Sequence, residues 1–115
     1  MTQRFCIAIV QKMSVKEAVI EVLVARGMIQ WVLKLLDKSR TGADIHIFSL
    51  DFSSALLANI LHSHQTLEFL EKQPRLTKDI INNLVQCLKE ASIVPTSVLM
   101  HVLICLSYLS KERFS

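Results

Sequence analysis

Met28-Ile29-Gln30-Trp31-Val32-Leu33-Lys34-Leu35-Leu36 follows directly on Gly27, and Ala55-Leu56-Leu57-Ala58-Asn59-Ile60-Leu61 lies farther along the chain. Apolar residues recur in both stretches at three- and four-residue spacing, so each folds as a helix with one broad apolar stripe. Neither stripe is narrow enough for the other helix alone to cover. The pair therefore needs neighbours, which is the requirement that makes helical repeats stack side by side. From Arg26 to Leu61 the sequence builds a surface and offers no chemistry.

Working upstream, Ser14-Val15-Lys16-Glu17 matches a capping box, in which the hydroxyl and the carboxylate satisfy free amides at a helix start. The helix it opens runs to about Arg26, with Val15, Ala18, Val19, Val22, Leu23 and Arg26 on one face. Ile20 and Val24 widen that face, which predicts burial on two sides. Gly27 takes the stop position, where a left-handed backbone is cheap for glycine. Arg4–Lys12 reads as a shorter helix before it. The helix from Met28 to about Lys38 turns Ile29, Val32, Leu33 and Leu36 inward, with Lys34 and Lys38 outside.

Downstream, residues 39–48 are the longest irregular stretch, holding Thr41-Gly42 and the candidate caps Asp44 and Ser49. The Ile45–Phe48 alternation has no partner strand elsewhere, so a loop or helix entry is expected. A helix then spans Ser49 to about Ser63, with Phe52, Leu56, Asn59 and Ile60 along it. Ala55 and Ala58 there would let another backbone come close. A short helix over Gln65–Lys72 is stopped by Pro74, because the residue before proline avoids helical angles. Thr77 is expected to cap the next helix, to about Ala91, with Ile80, Ile81, Leu84, Val85 and Leu88 inward. Pro95-Thr96-Ser97 opens the last, to about Leu109, apolar nearly all round and so either central or in want of a neighbour.

The chain of 115 residues is 51% apolar with two Gly and two Pro, which fits one helical domain over residues 1–115 and excludes low-complexity classes. Net charge is +3 and scattered. Nucleic-acid binding calls for a clustered basic stripe, and only Lys34, Lys38 and Arg40 come near one. A solvated helix end is the better reading of that trio, because cations suit a helix C-terminus, so no nucleic-acid partner is expected. Cys6, Cys87 and Cys105 form no CxxC pair and sit among aliphatic residues as buried free thiols, pointing to a reducing, cytoplasmic setting. No signal peptide is evident. No apolar run reaches the roughly 18 residues of a membrane span; Val98–Leu109 comes closest.

Candidate chemistry is sparse. His62 and His64 diverge by about 200° on a helix and cannot share a metal there. His101 and Cys105 are four apart on one face, a workable two-ligand spacing for zinc, but further ligands would have to come from Cys87 or Cys6. The same pair as a nucleophile lacks an exposed thiolate and an oxyanion donor. Gly27 and Gly42 are too far apart for a phosphate loop. Glu17/Glu21 and Glu68/Glu71 read as solvated helix surface. No catalytic, metal or cofactor site is expected.

Two stretches align with each other: Ile29–Leu36 with Ile81–Leu88, and Phe52–Ser63 with roughly Met100–Lys111, while Val15–Ala25 answers to Thr66–Gln73. The offset suits a helical repeat with loop insertions. On these residues the chain resembles the armadillo-repeat family: Val24-Ala25-Arg26-Gly27-Met28-Ile29, then Val32–Leu36, then Ala55–Ile60 follow its pattern of an alanine-glycine stop, a leucine-rich helix, and a helix with an Asn-centred leucine motif. The match covers residues 24–61 and, more faintly, 76–111, where Tyr108 takes the position of Asn59. HEAT-type repeats compete for the assignment.

The resemblance implies an all-α, right-handed α-solenoid segment of about two and a half repeats and six or seven helices, a fragment of a longer solenoid. It implies a non-enzymatic protein-interaction scaffold. Gln11–Ser14, Gly27–Trp31 and Phe52–Leu57 are similar to armadillo proteins of the ciliary base that also carry a LisH dimerisation segment, which implies a cilium or basal-body location; no LisH segment is present here. In peptide-binding members the repeat Asn lines a concave groove and bonds the peptide backbone, the place of Asn59. The Trp those members carry one turn earlier is Ala55 here, and Trp31 lies on another helix, so the array that reads basic localisation peptides is missing. Asn59, Tyr108 and Trp31 are the candidate partner-binding residues, Trp31 also fitting a boundary packing role. The partners expected are other proteins, bound at a groove or an open solenoid end, with self-association allowed. The competing architecture is a compact helical oligomerisation module that packs Val98–Leu109 inside the monomer or across a two-fold axis.

Overall fold

Leu33 and Leu84, each central in its apolar stripe, become buried core residues on two helices that pack together. The computed structural model describes residues 16–41 and 47–114, with side chains through Ser110. Six helices occur among them: α1 Glu17–Ala25, α2 Met28–Arg40, α3 Ile47–His62, α4 His64–Glu71, α5 Pro74–Lys89 and α6 Thr96–Phe114. No strand occurs among the described residues. The expected helix over Arg4–Lys12, Asp44 and Ser14 of the capping box lie outside them.

Gly27 separates α1 from α2 with φ 79° and ψ 25°, the left-handed conformation expected of a helix stop. Its amide bonds Val24 O at 3.2 Å and its carbonyl accepts from Trp31 N at 3.0 Å, so one residue closes α1 and opens α2. All four residues expected inside α2 (Ile29, Val32, Leu33 and Leu36) are buried, while Lys34 and Lys38 are exposed.

Several boundaries and faces differ from the sequence reading. α1 starts at Glu17 on an extended Lys16 with no side-chain cap. Glu17 instead accepts a hydrogen bond from Ser63 Oγ at 2.8 Å, tying the start of α1 to the start of α4. The face of α1 is also rotated: Ile20 is its buried residue, whereas Val22 is 57% exposed and Ala18 is exposed. α1 packs on α2 and α4, and the side carrying Ala18 and Val22 lies outside those contacts. α3 begins at Ile47, which leaves Ser49 a buried residue inside it rather than a cap. α5 begins one turn before Thr77, because Pro74 at the first helical position loses no hydrogen bond that the helix would otherwise make. Thr77 Oγ1 donates backward to Leu70 O at 2.8 Å and to Gln73 O at 3.0 Å, joining α4 to α5. α6 runs on past Leu109 to Phe114.

The packing has a regular plan. Each helix lies against its neighbour in the chain, and also α1 against α4, α2 against α5 and α3 against α6, the last being the most extensive. The set α1–α3 is thus matched, helix for helix, by the set α4–α6. One continuous core receives residues from all six helices. The radius of gyration is 13.3 Å with extents of 36 × 30 × 20 Å, compact for a chain this long.

Candidate interaction surface

The residues singled out for partner binding stand at the edges of the core. Trp31, on α2, is half-buried and packed against it, as the boundary reading expects. Asn59, on α3, is half-buried and engaged within the molecule. Tyr108, on α6, is half-buried and sets its ring against that of His62, with centroids 5.0 Å apart and planes tilted by 47°. His62 lies one turn beyond Asn59 on α3. The last two turns of α3 and of α6 therefore form one ridge, carrying Asn59, His62 and Tyr108. The sequence reading weighed His62 only as a metal ligand; its three-residue spacing from Asn59 was the available signal that both share a helix face.

His101 and Cys105, the pair with ligand spacing, are engaged in packing. His101 Nδ1 lies 2.8 Å from Ser54 Oγ and 3.8 Å from Asp51 Oδ1. Ser54 Oγ also reaches Asp51 O at 3.0 Å, and donating there leaves its lone pairs to accept from His101 when Nδ1 carries the proton. A Ser–His–Asp relay needs the hydroxyl and the carboxylate on opposite ring nitrogens; here both face the same one. The cluster fastens α3 to α6. Cys105, four residues from His101, is buried, and burial pushes its thiol up to about 12. Among the described residues no three His, Cys, Asp or Glu side chains converge as a metal site would require.

Arg40 behaves unlike the exposed cation of a basic patch. Its side chain is only 5% exposed and reaches from the end of α2 to α5. Nη1 donates to Asn83 Oδ1 and to Cys87 Sγ, both at 3.0 Å. Nε pairs with Glu90 at 2.9 Å, and Nη2 pairs with Asp37 at 3.3 Å. Asn83 Nδ2 in turn donates to Leu33 O at 3.2 Å. Burial raises the Cys87 thiol above its ordinary value although the neighbouring guanidinium pulls it down. Of the trio Lys34, Lys38 and Arg40, the third is thus an internal clamp between two helices.

A cavity of about 490 Å³ opens between α4, α5 and the end of α6, lined by Leu67, Leu70, Ile81 and Leu109 with Lys78 at its edge. No described helix is long and apolar enough to cross a membrane. Compared with family models, curated proteins and solved structures, the chain matches none.

Proposed function

We propose that this chain is a segment of an armadillo-like α-solenoid and serves as a non-enzymatic scaffold for other proteins. The observation that carries the reading is the helix-for-helix packing of α1–α3 on α4–α6, the arrangement by which stacked repeats make a continuous surface. The ridge of Asn59, His62 and Tyr108 is the binding edge. Asn59 and Tyr108 fall at corresponding places on corresponding helices, and His62 bridges them through its ring contact with Tyr108. Trp31 contributes mainly to packing. An extended peptide segment of a partner is the ligand class this ridge suits, with amide and phenol groups bonding its backbone.

Panning a displayed library of extended peptides against the protein tests the reading. Enrichment of a sequence class by the native chain, lost in an Asn59→Ala/Tyr108→Ala double variant with an unchanged helical spectrum, is the expected result. Equal enrichment by both proteins would remove the ridge from the account.

A further inference from the structure

We draw no further inference here: the strongest candidate, the cavity between α4, α5 and the end of α6, carries Glu71 and Lys78 together beside its apolar lining, so that charge selects no ligand, and nothing in the structure shows what covers it.

Discussion

α3 and α6 hold the same inward row, with Ser49, Ser53, Leu56 and Ile60 on one answering to Val98, Val102, Cys105 and Leu109 on the other, all buried. They differ in the row beside it. On α3 that row is Leu50, Ser54, Leu57 and Leu61, and it too is buried. On α6 the corresponding Leu99 and Leu106 are half-buried, and Leu103 and Ser110 are exposed. The second helices repeat the contrast: Ile29, Leu33 and Leu36 of α2 are buried, while Ile81, Val85 and Leu88 of α5 are only half-buried. α2 and α3 therefore have cover on a flank that α5 and α6 leave partly open, whereas the first helices reverse the contrast, α4 burying Thr66, Leu67 and Leu70 against Ile20 alone on α1. Burial here follows position in the stack as much as it follows residue type.

Four substitutions test that contrast, in decreasing order of effect. Leu84→Ala empties a fully buried place where α5 meets the rest of the core. It is expected to cost about 2–5 kcal/mol in chemical denaturation, the range for buried leucine truncations. Arg40→Met removes the clamp between α2 and α5 and is expected to cost about 2 kcal/mol, since hydrogen bonds to charged groups are worth about 1.5–3 kcal/mol. A loss below a few tenths would mean that the cost of burying the guanidinium cancels what its partners return. Gly27→Ala keeps space for the new methyl group, whose nearest neighbour is Gln30 Oε1 at 3.7 Å. Its cost, about 1–2 kcal/mol in thermal unfolding, comes from the left-handed backbone alone. Leu103→Ala, on the open flank, is expected to change the stability of dilute monomer by no more than about 0.5 kcal/mol. A cost near that of Leu84→Ala would show that the flank is covered within the single chain.

The sequence made some of this legible and hid the rest for physical reasons. The inward row of α2 was read correctly because a glycine stop, a regular apolar spacing and outward lysines all agree. The all-helical class followed from the same periodicity. α1 was misassigned because Ala18, Val19, Ile20, Val22, Leu23 and Val24 are apolar on nearly every side, so period alone does not choose the inward face. Packing on α4 chooses it, turning Ile20 in and Val22 out. The start of α5 was displaced because proline ends one helix and opens the next with equal ease. At the candidate surface, Trp31 was placed at the core boundary, where it lies. The contact of Tyr108 with His62 was hidden, because it joins residues on different helices. So was the inward turn of Arg40, whose partners Asn83, Cys87 and Glu90 lie on and just beyond another helix. His101 was weighed as half of a metal pair and set aside, but its packing partners stayed hidden for the same reason, since Ser54 and Asp51 approach its ring only once α3 meets α6.

The most direct test of the helix-for-helix plan is a methyl-resolved nuclear Overhauser spectrum of the protein in solution. The account predicts cross-peaks joining α1 to α4, α2 to α5 and α3 to α6, with Leu33 near the Asn83 side-chain amide. Cross-peaks joining α3 chiefly to α5, with none between α3 and α6, would contradict it.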